Sequence, residues 1–484
     1  MVILLACVTP PADVDLHFVR GGVVQAGRFE ARAWTPGEAG APLLPECVPL
    51  FSVPLEDMQR LAAMGAPPPA AALAFSPDGA WLAIGSEAGS LRIVDAWTGE
   101  VRAERHMAEG AVKQVAWSPD GAVLYAGEQS PDAMLLAFDA ATLAPRWSFR
   151  LADELETSAL PPADDVYGLY SLPGAFAVRV LPDGGVLVSG AHGWPHPDGT
   201  RHNRSRIWRL APDGTRLAAW PPDAPVDAVF LHPDVSGARV LLGVSRSADG
   251  PAPADLPVNG VVVLDLATLT PVWEQRFEPL EPYFHGVFLW EAVALDDALV
   301  LAGLGDGRAF LFGADGTLAQ TLTPGVPVLS QGVPIAAGVG FGDVFDRTAY
   351  FLTTETNIPW GSADPMTRPP AAHPAQYTAH AVGIDGEERW SWQADHALAG
   401  IRVSPDGRDL VVGAGPRISD ARTDLYGALV LDRLTGALRA SCATEGPAYF
   451  RPEWAPESGR IAVAESPFVV DGDVRGAYRV TVFR

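Results

Sequence analysis

From about residue 71 onward the chain alternates short apolar runs with turn-forming quartets. Leu73–Pro77, Ala80–Glu87, Ser90–Ala96 and Val101–Met107 are β-rich runs separated by Gly, Asp and Ser, which predicts four short strands joined by tight turns. The same unit returns at Val112–Pro119, Val123–Gln129, Met134–Ala140 and Arg146–Leu151. Its first hairpin is spelled almost identically both times, as "AALAFSPDGAWLAIG" and "AVKQVAWSPDGAVLYAG". A four-stranded sheet of this kind exposes two apolar faces and is not stable alone. Stacking such sheets side by side around an axis hides both faces, which is the physical reason for the repetition.

Looser copies follow. One runs from Phe176 to "GTRLAAW" (214–220), the next from "VDAVFLHP" (226–233) to "PVWEQRF" (271–277), and a compact one spans 289–322. Another extends from "IAAGVGFGD" (335–343) to "EERWSW" (387–392). The next uses "GIRVSPDGRDLVVGAG" (400–415), "GALVLDR" (427–433) and "GALRASC" (436–442). The last stretch offers three strands, "YFRPEW" (449–454), "RIAVAE" (460–465) and "AYRVTVF" (477–483), and "ECVPLFSVP" (46–54) is the natural fourth. The reading is therefore an all-β chain, a single β-propeller of four-stranded antiparallel blades over 71–484. Its count is eight, with seven as the alternative, and the N-terminal strand closes it. Residues 14–70 hold a hairpin in "LHFVRGGVVQAGRFEARAW", the closing strand and a short helix over "LEDMQRLAAMG" (55–65).

Composition changes this picture little. Gly and Pro number 49 and 45 among 484 residues, as a turn-rich globular chain requires. The net charge of −24 repels phosphate backbones and argues against nucleic-acid partners. Of the three cysteines, Cys7 ends "LLAC", which looks like a lipoprotein cleavage box followed by a tether over residues 1–13. The alternative is an ordinary apolar N-terminus on a cytoplasmic protein. Cys47 and Cys442 fall on the outer strands of neighbouring blades. Outside a reducing cytosol they form a disulfide, and inside it two free thiols.

The recurring "SPDG" (76–79, 118–121, 404–407) and "LPDG" (181–184) resemble the first hairpin of bacterial WD-repeat and surface-layer-type propellers. Asp78, Asp120, Asp183 and Asp406 are turn formers before glycine, not catalytic acids. "FDAATLAPRW" (138–147) and "LDLATLTPVW" (264–273) are similar to quinoprotein-like propellers. That resemblance implies that Trp147, Trp220, Trp273 and Trp390 pack between neighbouring blades.

Loop lengths point to function. First-to-second and third-to-fourth turns are minimal, whereas long insertions sit at 193–204, 247–259, 356–376, 416–426 and 467–476. The connection 152–175 joins the same side. Long loops gathered on one end of a rigid scaffold build a binding surface. Its candidate binding residues are His192, Trp194, His196 and His202 in one insertion and Trp360, His373, Tyr377 and His380 around another. They are read as surface-loop side chains without a metal, and no cofactor is assigned. The acids Asp153, Glu154, Glu156, Asp164 and Asp165 are read as a solvated acidic loop, with calcium binding as the alternative. No G-x-S-x-G, P-loop or dinucleotide fingerprint is present, and no two cysteines are adjacent. The leading expectation is a noncatalytic binding or scaffold protein of the bacterial cell envelope. It takes a protein or surface polymer and touches membrane only through a lipid on Cys7. The alternative is a propeller enzyme, a metal-dependent lactonase-like hydrolase or a quinoprotein-like oxidoreductase, with its site at the central channel.

Overall fold

The computed structural model describes residues 16–18, 24–26, 47–56, 71–107, 110–155, 172–195, 201–229, 233–246, 259–277, 280, 289–295, 299–358, 369–394, 396–415, 426–448, 451–470 and 473–484. The helix read over 55–65 and Cys7 fall almost wholly or wholly outside these residues. Strands Leu16–Phe18 and Val24–Ala26 pair as a short hairpin. All the other sheets are antiparallel, and among the described residues the helical structure is a single 3-10 turn, Leu151–Asp153.

Strands follow one another in chain order into four-stranded meanders, lettered here by position. Sheet A takes Ala71–Phe75, Trp81–Ser86, Ser90–Asp95 and Val101–His106. Sheet B takes Ala111–Trp117, Val123–Gln129, Met134–Asp139 and Pro145–Arg150. Sheet C takes Gly174–Val180, Val186–Pro195, Arg201–Leu210 and Arg216–Trp220. In sheet D the first strand is split into Val226–Val229 and Asp234–Ser236, followed by Arg239–Arg246, Asn259–Asp265 and Pro271–Arg276. Sheet E takes Leu289–Leu295, Leu299–Leu304, Ala309–Gly313 and Leu318–Leu322.

Sheet F departs from the sequence reading. Its first strand, Val333–Phe345, is the longest of the described strands, and a short strand Val328–Ser330 pairs with its start. Thr348–Asn357, Thr378–Gly383 and Glu388–Gln393 complete it. The small residues of "IAAGVGFGD" hide its strand character, and two register shifts, at Ala337/Val339 and Gly340/Gly342, absorb its extra length. Sheet G takes Leu398–Val403, Asp409–Ala414, Tyr426–Asp432 and Leu438–Thr444. Sheet H takes Glu453–Trp454, Ile461–Glu465 and Arg479–Phe483, and the distant segment Pro49–Pro54 supplies its fourth strand.

Contacts gather the chain into two compact units, Ala70–Phe277 with residues 1–5 and 20–22, and Glu278–Arg484 with residues 6–19 and 23–69. Inside each, consecutive sheets share apolar layers. Leu91 and Ile93 of sheet A pack with Val112, Leu124 and Phe138 of sheet B. Tyr125, Leu135 and Ala137 of B meet Val178, Val188 and Trp208 of C, whose Leu187 and Ile207 face Leu242 and Val262 of D. In the second unit Leu301 and Leu311 of E meet Val339 and Phe351 of F. Leu352 and Ala379 of F meet Ile401 and Leu410 of G, and Val411 and Val430 of G meet Ile461 and Val463 of H. Sheets B, C, F and G thus bury both faces, as β-propeller packing demands.

Trp147 and Trp390 bridge neighbouring sheets, and Trp220 packs in the layer between C and D. Trp147, on the outer strand of B, donates from Nε1 to the Pro212 carbonyl of C at 2.9 Å. Trp390 on F repeats this to the Arg433 carbonyl of G, also at 2.9 Å. Each ring lies beside a tyrosine of its own sheet, Tyr125 at 5.8 Å and Tyr350 at 6.2 Å between centroids. Among the described residues no helix is long and apolar enough to cross a membrane.

Candidate functional site

The two ends of each sheet differ. At the first-to-second and third-to-fourth turns, aspartates spend their carboxylates on their own backbone. Ser76 Oγ donates to Asp78 Oδ1 at 2.6 Å, Ala80 N donates to the same oxygen at 3.0 Å, and Trp81 N donates to Ser76 Oγ at 2.9 Å. Ser118 with Asp120 and Ser404 with Asp406 repeat the arrangement. On the third-to-fourth turns Asp95, Asp265 and Asp432 each accept two backbone N–H groups. These hydrogen bonds hold the carboxyls of Asp78, Asp120 and Asp265 below their usual range.

The opposite end carries the additions, always between the second and third strands of a sheet. In sheet C the described residues of the inserted stretch are strand. The hairpin simply continues outward, pairing His192 with Arg204, Gly193 with Asn203, Trp194 with His202 and Pro195 with Arg201. In sheet H, Phe468–Val470 and Asp473–Arg475 form a small hairpin of their own, with Phe468 packed against Tyr426 of sheet G at 5.1 Å.

The connection entering sheet C is tied down by charge. Glu154 Oε2 accepts from Arg206 Nη1 at 2.9 Å and Trp208 Nε1 at 2.6 Å, and Oε1 accepts from Arg216. Arg206 also donates from Nε to the Pro221 carbonyl at 2.9 Å. Asp153 pairs with Arg150. Glu154 is therefore a structural ion-pair partner, which corrects its reading as part of a solvated acidic loop, whereas Asp153 stays exposed beside Arg150. Glu156, Asp164 and Asp165 lie outside the described residues.

Sheet F buries its histidines, where the sequence suggests surface side chains. His373 receives Ala375 N at Nδ1 (3.1 Å), so its proton sits on Nε2, which donates to the Val326 carbonyl at 3.0 Å. Burial pushes its pKa down, with the Val326 carbonyl opposing. His380 stacks on Phe351 at 5.1 Å, donates from Nδ1 to Glu388 at 3.1 Å, and places Nε2 3.4 Å from Thr353 Oγ1. Burial lowers its pKa too, against the pull of Glu388. His373 ties Ala375 to Val326, whereas the partners of His380 all lie on strands of sheet F. Tyr377, buried, takes a positive φ of 54° just before strand Thr378–Gly383. His192 is buried in strand Val186–Pro195. Trp194 and His202 occupy paired strand positions, while His196 and Trp360 lie outside the described residues.

The sequence reading misses a set of buried acids at this same end. Glu87 follows the second strand of sheet A and pairs with Lys113, both side chains almost fully buried. Asp306 follows the second strand of E and takes Arg308 Nε at 3.0 Å and Nη2 at 2.6 Å. Glu465 ends the second strand of H, paired with Arg479 and accepting Gly446 N at 2.9 Å. A carboxylate closing the phrases "AIGSE", "LAGLGD" and "IAVAE" is the signal that could have found them. Each buried acid is neutralised by a base, as low-dielectric burial requires. Cys47 and Cys442 form a disulfide joining the segment before Pro49 to the outer strand of sheet G. Among the described residues no group of three or more His, Cys, Asp or Glu side chains converges.

Comparison with known proteins fits this architecture. A family model described as the anaphase-promoting complex subunit 4 WD40 domain matches residues 66–120, the first repeat and the start of the second. The crystal structure of the C-terminal WD40 domain of Sif2 superposes with a TM-score of 0.54 at 14% identity, covering 91% of this chain and 99% of that one. The computationally designed Ika8 protein gives 0.52 at 16% identity, covering 89% and 99%. BamB from Moraxella catarrhalis gives 0.43 at 14% identity over 84% and 92%. No curated protein matches the chain in sequence. The chain has a β-propeller fold, and its first repeat is similar to a WD40 domain.

Proposed function

We propose that this propeller is a noncatalytic binding protein that takes a protein or surface polymer at the sheet ends carrying the second-to-third-strand additions. One observation supports this most strongly. In sheets C, D, F, G and H the added chain falls between the second and third strands, while the opposite turns are short and internally hydrogen-bonded. WD40 propellers commonly serve as protein-binding scaffolds, which supports the same reading. A net charge of −24 favours a partner without a phosphate backbone.

Location belongs to the same proposal. The Cys47–Cys442 bond supports an oxidising compartment, and "LLAC" ending at Cys7 supports a lipid anchor in the bacterial envelope. Intact mass of membrane-extracted protein tests the anchor: acyl mass on a chain beginning at Cys7 is expected, and a chain retaining residues 1–6 contradicts it. Affinity capture tests the binding end. Replacing 247–258 and 359–368 by Gly-Ser segments of equal length should abolish capture, whereas exchanging the turn at Trp97 should not. Equal capture by all forms contradicts the proposal.

A further inference from the structure

Pro49–Pro54 differs from the other strands of its sheet. It lies more than four hundred residues from the strand it pairs with, Arg479–Phe483, with Ser52 opposite Thr481 and Val53 opposite Val480. Only Val53 of its six residues is buried, and prolines stand at both ends. The strand it covers is the reverse: Val480, Val482 and Phe483 are all buried. The segment therefore works as a strap, adding little core of its own and occupying the edge of an apolar strand.

The strap is fastened in two ways. Within sheet H it is held by backbone pairing, extended by Val48 N to the Arg484 carbonyl at 2.9 Å and Leu55 N to the Tyr478 carbonyl at 2.9 Å. To sheet G it is held by Cys47 N to the Ser441 carbonyl at 3.0 Å and by the Cys47–Cys442 bond. The two sulfurs sit in different surroundings. Cys442 is completely buried among Ala428, Ala448, Ile461 and Val463, whereas Cys47 is half-buried at the rim of that cluster. A reduced Cys442 stays behind as a small apolar residue in an otherwise complete layer.

We propose that the Cys47–Cys442 bond is a redox latch on the N-terminal strap, independent of what the loop end binds. A dithiol reductant attacks the accessible Cys47 sulfur, and the Cys442 sulfur leaves as thiolate and takes up a proton. The second thiol of the reductant then displaces Cys47 as thiolate, which is protonated in turn, and the reductant departs as its own disulfide. Two electrons and two protons thus pass from the dithiol to the protein. Residues 47–54 are freed, and the edge of Arg479–Phe483 opens while the layers between sheets G and H persist.

Hydrogen exchange on the full chain, oxidised and after dithiothreitol under native conditions, tests this. Exchange at 479–483 and 48–54 should rise at least tenfold on reduction, leave Trp81–Ser86 and Val186–Leu210 unchanged, and return on reoxidation. Cys47→Ser should match the reduced protein without added thiol. Unchanged protection at 479–483 overturns the latch, and so does a rise spread over all sheets, since either makes the bond a global staple or an inert one.

Discussion

A Cβ added to Gly214 would lie 2.7 Å from the indole ring of Trp147, which belongs to the preceding sheet. Gly436 stands in the same relation to Trp390, at 2.6 Å, and both glycines have positive φ, 86° and 69°. The tryptophan of one repeat thus dictates the turn residue of the next.

Gly214→Ala should destabilise by about 1–3 kcal/mol, through backbone strain and overpacking together. Trp147→Phe removes the Nε1 bond to Pro212 and should cost about 1 kcal/mol. In a Trp147→Ala background the steric part of the Gly214→Ala cost should vanish. Denaturation midpoints of the four proteins measure this coupling.

Lys113 is the chain's sole lysine and is ion-paired with Glu87 inside the first unit. Lys113→Met removes the cation paired with a buried carboxylate and should cost about 3–5 kcal/mol, most of it recovered by adding Glu87→Leu. Amine-reactive labelling followed by peptide mass analysis should find Lys113 unmodified in the native protein and modified after unfolding.

Stability should fall in two acid windows. His373 and His380 have folded pKa values below the unfolded 6.5, so their contribution is complete above that pH and is lost as pH falls through the lowered values. His373→Gln should flatten this first slope in a thermal-midpoint titration. Asp78 and Asp183, lowered from 3.8, act in the same sense further down: their contribution is present above 3.8 and disappears as pH drops through the folded values.

Glu154 holds two arginines and an indole at the entrance to sheet C. Glu154→Gln should destabilise sheet C, because Arg206 is almost fully buried and loses its counter-charge. Exchange at Arg201–Leu210 should increase, while sheet A keeps its protection.

The fold was readable because its information is local. "SPDG" and "D-x-x-T" turns satisfy their own hydrogen bonds within a few residues, so the spelling of Ser76–Gly79 is enough to place a hairpin. Trp147 and Trp390 were legible for a related reason: tryptophan recurs at the third position of the fourth strand in sheets B, D and F. The candidate site was less legible. His192, His373 and His380 look like loop ligands in a string of polar residues, yet their burial depends on Arg204, Val326 and Phe351, partners 12, 47 and 29 residues away. Glu154 reads as one acid among several until Arg206 and Arg216 are placed beside it. The "GWP" and "RHN" stretches hide strand pairing because cross-strand hydrogen bonds, not side-chain pattern, extend that hairpin.

The most direct test places a photo-crosslinking residue at position 360, in a second-to-third-strand connection, and separately at position 97, in a third-to-fourth turn. Covalent capture of the same partner from position 360 and none from position 97 is the predicted result. Capture from position 97 with none from position 360 would contradict the account.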